Sequence, residues 1–151
     1  MTDGFEQYCH ELEHVTFKVL RRIGHEVSGI LDEGMSSAQF VVIRIVGHSE
    51  AMTVSEISDY MGVTLSAVTS LADRLTASGW LARERNDTDR RLVWLKLTDA
   101  GRTKLRELEA KRLELMRKHL GRLPQADLDR LLEICTRLAA ITEDGDPPPV
   151  A

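Results

Sequence analysis

The sequence predicts a mainly α protein with a small β-hairpin, and three observations predict it. Apolar residues recur at helical spacing over long stretches at both ends of the chain. Between them, two short helical patterns are joined by a glycine-bearing turn. Directly after these come "WLARER" and "LVWLKL", two alternating runs around the polar tip "NDTDRR". Two short helices and a turn followed by a hairpin make a winged helix-turn-helix. The flanking stripes supply long N- and C-terminal dimerisation helices.

The first element spans residues 5–31, where Phe5, Cys9, Leu12, Val15, Val19, Ile23, Val27 and Ile30 step by four and three. That is one long amphipathic helix. "DEGMSS" breaks it, and Ser36 or Ser37 can cap a second helix through "AQFVVIRIV", closed by Gly47 and "HSEA". Being apolar nearly all round, this helix should be central.

Thr53 and Glu56 have capping-box spacing, so a short helix should follow over 54–61 and end at Gly62, where a tight turn needs a left-handed residue. Thr64 offers the next N-cap. Behind it Val68, Leu71, Ala72 and Leu75 form an apolar stripe up to Gly79. The other side of this second helix carries Ser66, Ala67, Thr69, Ser70, Asp73 and Arg74. A plainly solvated face would favour long Glu and Lys side chains. Small hydroxylic residues instead let a helix approach another surface closely and still hydrogen-bond to it.

In the hairpin, Val93, Leu95 and Leu97 share one face. Thr98 then caps a long helix whose stripe is Leu105, Leu108, Arg112, Leu115, Met116 and Leu120. "GRLP" interrupts it, and Pro124 suits the first turn of a last helix lined by Leu128, Leu131, Leu132, Cys135 and Leu138. The tail "EDGDPPPVA" is acidic and proline-rich and reads as disordered.

With 151 residues and 42% hydrophobic content, the chain supports one core domain per chain. The expected organisation is a helical dimerisation region over 1–35 and 99–143, a winged helix-turn-helix over 36–98 and a disordered tail over 144–151. Cys9 and Cys135 lack the spacing of a disulfide framework or a zinc knuckle, which fits a reducing cytoplasm. The acidic N-terminus does not resemble a signal peptide, and "FVVIRIVG" is short and interrupted by Arg44, so no membrane association is expected.

The formal net charge of −4 hides an asymmetry: residues 1–35 carry −4, whereas residues 74–122 carry +7. Local field governs binding, so an acidic chain can still hold a polyanion. The winged layout predicts how. The second helix enters the major groove, where Ser and Thr hydroxyls meet donor or acceptor edges and an alanine methyl meets a thymine methyl. An arginine at the hairpin tip reaches into the minor groove, whose negative potential attracts guanidinium. No cofactor or catalytic group is needed.

The chain resembles the MarR family of bacterial transcriptional regulators. The resemblance rests on "SSAQFVVIRIV", on "TVSEISDYMGVTLSAVTSLADRLTASGWLARERNDTDRRLVWLKLTDAG" and on the flanking long helices, and it covers all but the tail. The wing pattern of two acids, two arginines, an apolar strand and "LTDAG" is its most specific part. The resemblance implies a homodimer whose first and last two helices intertwine and present two recognition helices and two wings to double-stranded DNA, a pseudopalindromic operator. It places Thr64, Ser66, Ala67, Thr69 and Ser70 on the recognition helix, and Asp89, Arg90 and Arg91 on the acid-then-arginine wing motif. Asp89 can orient an arginine by a charge-assisted hydrogen bond, and position favours Arg91, then Arg90, for the minor groove.

Other residues admit two readings. Arg74 either contacts phosphate or braces the wing through an acid, and Arg83, Arg85 and Lys96 are either phosphate contacts or plain strand surface. The basic residues over 102–118 read as a solvated face. Long apolar stripes exceed what a small winged-helix core can bury, so they call for a dimer, with half-sites roughly 34–36 Å apart. Cys9 beside Glu6, Glu11 and Glu13 is in poor surroundings for a reactive thiolate, and packing is expected for it and for Cys135. His10, Glu13 and His14 lie one turn apart but read as solvated rather than as a metal site. His25 and Arg44 are candidates for a cleft holding a small aromatic or anionic ligand.

The function expected is a cytoplasmic, dimeric transcriptional regulator, a repressor relieved by a small-molecule ligand. The alternatives are redox sensing through Cys9 and a winged-helix protein-interaction module. An enzyme is disfavoured, because no phosphate-cradling glycine loop, nucleophile constellation or paired-carboxylate site is recognisable.

Overall fold

The computed structural model describes residues 2–31, 34–85 and 93–143. In order it holds α1 (Thr2–Ile30), α2 (Ser37–Ser49), β1 (Met52–Thr53), α3 (Val54–Met61), α4 (Leu65–Ala77), β2 (Leu81–Arg85), β3 (Val93–Leu97), α5 (Asp99–Leu120) and α6 (Gln125–Glu143). The predicted helices and the two strands of the hairpin are present, while the hairpin tip over 86–92 and the tail over 144–151 lie outside the described residues. None of the described helices is long and apolar enough to cross a membrane.

The caps form where the sequence places them. Ser36 accepts from the Gln39 amide while the Gln39 side chain accepts from the Ser36 amide, a capping box at 3.2 and 2.8 Å. Thr53 and Glu56 make the same exchange at 3.2 and 2.7 Å. Gly62 ends α3 with φ +63°, and Thr64 caps α4. Thr98 caps α5 and also donates its hydroxyl to the Gly79 carbonyl at 2.6 Å, tying the exit of the hairpin to the turn behind α4. α6 begins one residue later than expected. Pro124 precedes its first turn, and the Pro124 carbonyl accepts from the Asp127 and Leu128 amides.

The hairpin belongs to a three-stranded antiparallel sheet of order β1-β3-β2. Met52 and Thr53 pair with Leu95 and Trp94, so the two residues before α3 close the open edge of β3. Two residues are too few for an alternation to register, so the sequence gives no sign of β1.

Ile43, Val42 and Val46 of α2, Ile57 of α3, Val68 and Leu75 of α4, Leu81 and Leu95 of the sheet and Leu108 of α5 are fully buried together. The expectation that α2 is central holds. The helix closes within "HSEA", at Ser49 with Glu50 as its C-cap, and Gly47 itself does not end it. That glycine sits inside, where the Leu105 and Leu97 side chains come so close that a Cβ would collide with them. The faces of α1 and α6 are uncovered: Phe5, Leu12, Val15, Leu132, Ile134 and Ile141 are all exposed. Cys9 and Cys135 are free and exposed as well, so neither thiol is packed within the chain.

Candidate nucleic-acid interface

The turn between α3 and α4 is fixed by Ser58, whose hydroxyl donates to the Val63 carbonyl at 2.7 Å while its own carbonyl accepts from the Val63 amide. The stripe Val68, Ala72 and Leu75 seats α4 on the core, with Leu71 half-buried beside it. The opposite side is open: Thr64, Ser66, Ala67, Thr69, Ser70, Asp73 and Arg74 are all exposed.

That side divides in two. Thr64, Leu65, Ser66, Thr69, Ser70 and Asp73 line one broad, open concavity. Ala67 and Arg74 do not line it; at about 100° per residue they fall on the far flank of the helix. Leu65 is the residue the sequence reading passed over. It lies one position after the cap and is 53% exposed, so it does not join the core.

The hydroxyls of this face are largely engaged. Thr64 Oγ1 accepts from the Ala67 amide at 3.3 Å and lies 3.2 Å from Ser66 Oγ, and Thr69 Oγ1 donates to the Leu65 carbonyl at 2.8 Å. Asp73 is paired with Arg83 of β2, whose Nη2 lies 2.5 Å from Oδ1. The acid that braces the wing is thus met by Arg83, and Arg74 has no ion pair among the described residues. In the sheet, Lys96 pairs with Glu84 at 2.5 Å, a diagonal cross-strand contact that holds this cation on the strand surface. Arg85 is exposed at the end of β2. Asp89, Arg90 and Arg91 lie outside the described residues.

A second feature lies between α2 and α3, where Val41, Arg44, Ile45, His48, Ser49 and Tyr60 line a hollow of about 160 Å³. Arg44 Nε is buried there without a hydrogen-bond partner among the described residues, and His48 Nε2 lies 3.4 Å from Glu109 of α5. His25 is exposed on α1 and takes no part in this hollow. On the other side of the core, Glu26 of α1 receives His119 at 3.1 Å and Lys118 at 3.2 Å from α5. The His119 hydrogen bond, partly offset by desolvation, and then Lys118 hold the Glu26 carboxyl down at about 2. Arg22 Nε stands 2.8 Å from the other oxygen, too poorly aligned to hydrogen-bond it.

Comparison with known proteins places this arrangement. The MarR family profile matches residues 35–93, from the start of α2 into β3. The transcriptional repressor MdtR of Bacillus subtilis is 36% identical over 114 residues, covering 76% of this chain and 74% of that protein. The chain belongs to the MarR family. Among solved structures, the YusO protein of Bacillus subtilis is 31% identical with a TM-score of 0.69, over 89% of this chain and 96% of that one. FabT of Streptococcus pneumoniae, solved in complex with DNA, shares the fold at a TM-score of 0.74 and 24% identity, over 93% of this chain and 98% of its own. The MarR family chain is therefore a transcriptional regulator with a DNA-binding winged-helix fold. Its MarR relatives are regulators and not enzymes, in agreement with the sequence reading.

Proposed function

We propose that this chain is a dimeric repressor that holds a pseudopalindromic operator through α4 and the wing and releases it when a small ligand binds. The observation that carries the reading is the open face of α4: mostly small and polar, fixed at both ends by caps and turns, and uncovered among the described residues. Thr64, Ser66, Thr69 and Ser70 are the base-facing residues of this proposal, with Ala67 and Arg74 nearer the flanking backbone. Asp89, Arg90 and Arg91 belong to the wing in this proposal, with Arg91, then Arg90, as the arginine that enters the minor groove. Support comes from MdtR, a repressor, and from FabT, whose structure holds DNA.

The dimer is supported by α6, a 19-residue helix with no extensive contact to the other described elements and with Leu132, Ile134, Leu138 and Ile141 exposed. Two-fold pairing presents two heads at one spacing, and a ligand that favours another spacing weakens binding by its differential affinity. Arg44, with a buried and unpartnered Nε, is the cation to which a small carboxylate would bind. The hollow around it suits a small anion or one end of an aromatic acid. Cellular placement with the chromosome, in the cytoplasm, belongs to the same proposal.

The test is binding of the purified chain to duplex DNA from upstream of its own gene, followed by fluorescence anisotropy. Affinity should fall by on the order of 10³ between about 50 and 200 mM salt, because phosphate contacts release counterions. Absence of any duplex binding at low salt would leave the protein-interaction module as the reading. Redox sensing keeps a place because the Cys9 thiol is free and not packed within its own chain. Peroxide should leave operator affinity unchanged if the ligand is the signal, and a loss of affinity that Cys9→Ser abolishes would replace the ligand with an oxidant.

A further inference from the structure

We propose that Leu65 reads the 5-methyl group of thymine in each operator half-site, so that aliphatic contact sets base preference at the start of α4. The inference rests on the DNA-binding reading above and goes beyond it in naming the chemistry that is read.

Single exposed leucines are common on protein surfaces, so the weight of Leu65 lies in where it stands. Val68, Ala72 and Leu75 are fully buried, while Leu65 stays 53% exposed and lines the same concavity as Ser66, Thr69, Ser70 and Asp73. Several of the hydroxyls around it are already hydrogen-bonded. The Thr69 proton is spent on the Leu65 carbonyl, one proton is shared between Thr64 and Ser66, and Thr64 already accepts the Ala67 amide. Asp73, one turn beyond Thr69, is held by Arg83. Ser70 is the hydroxyl on this face with no hydrogen bond among the described residues. What α4 presents at its leading end is therefore an aliphatic side chain among hydroxyls that are in part engaged with one another and with the helix backbone.

In the major groove, the thymine methyl is the one aliphatic feature on a base edge, and the first residues of a recognition helix are those that meet base edges. Placed against thymine, Leu65 buries its exposed methyls. Placed against cytosine, it leaves the N4 amino group without an acceptor, which disfavours that base. The preference thus comes from two effects with the same sign.

Uracil tests this cleanly, since it keeps every hydrogen-bonding group of thymine and lacks only the methyl. Duplexes retained by the full chain from a random pool at low salt define the half-site, and each thymine is then replaced in turn by uracil. One replacement per half-site should weaken wild-type binding by about three- to tenfold. Leu65→Ala should bind the thymine and uracil duplexes equally, with an unchanged helical circular dichroism spectrum. Uracil tolerated at every position, or a penalty that persists in Leu65→Ala, overturns the proposal while leaving DNA binding intact. Retention of no duplex at all would overturn both readings together.

Discussion

Asp73 puts a carboxylate on the same open face of α4 as Ser66, Thr69 and Ser70, the side proposed to meet DNA. Arg83 at 2.5 Å cancels that charge. Both partners are well exposed, so the pair contributes no more than about 0–1 kcal/mol to folding. Its weight lies in where it leaves the charge. Arg83→Ala should unfold at nearly the wild-type urea concentration yet bind duplex more weakly, and adding Asp73→Ala should restore part of the affinity. If the double variant binds no better than the single, Arg83 acts by touching phosphate and not by masking Asp73. Arg91→Ala should cost roughly 1–3 kcal/mol of operator binding in the same anisotropy assay, with sedimentation unchanged. The caps at Thr53, Thr64 and Thr98 could be read from the chain because a cap and its amide are two or three residues apart. Asp73 and Arg83 lie ten residues apart on different elements, and no local pattern announces that they meet.

At the scale of elements, the head is locked by close approaches as much as by apolar burial. A Cβ on Gly101, in the first turn of α5, would run into the Trp80 carbonyl, a backbone atom that the Trp80 amide bond to Leu75 and the Thr98 amide bond to Trp80 hold in place. At Gly47 the collision is with the ends of the Leu105 and Leu97 side chains, which can turn aside. Alanine gains about 1 kcal/mol over glycine in a helix interior, so the sign depends on the clash. Gly101→Ala should be destabilising by about 1–3 kcal/mol, and Gly47→Ala should lie well below that, both read from urea unfolding. Equal effects would mean that helix propensity, not contact, decides. The sequence marks Gly47 as a helix end because glycine commonly is one; only the packing of α2 on α5 shows a glycine used for proximity.

For the whole molecule, the bare faces of α1 and α6 and the Glu26 cluster make separate demands. Leu12 and Leu132 are 67% and 70% exposed, and aspartate at either should be tolerated by the head's core but not by a dimer. Leu132→Asp is expected to sediment as a monomer with the head still folded; an unchanged sedimentation coefficient would remove α6 from the interface. Glu26 joins α1 to α5 through His119 and Lys118, with its carboxyl lowered from 4.5 to about 2. A lowered carboxyl stabilises the fold fully above about pH 4.5, and that contribution drains away as pH falls toward 2. Wild type should therefore exceed Glu26→Gln in urea stability at pH 6, and the gap should narrow steadily below pH 4.5. A gap independent of pH would show that Glu26 acts through shape and not charge.

The sequence by itself determined the order of helices, their caps, the turn at Gly62 and the small polar face of α4. Each of these is written in residues within about a turn of one another, where period and capping chemistry act. The tertiary structure decided what lies beyond that range. It added β1, whose partners are Leu95 and Trp94 some forty residues on. It divided the α4 face so that Leu65 and Asp73 line the concavity and Ala67 and Arg74 do not. It also left Cys9 and Cys135 without packing inside their own chain, because helical periodicity tells which residues share a face and not what covers that face.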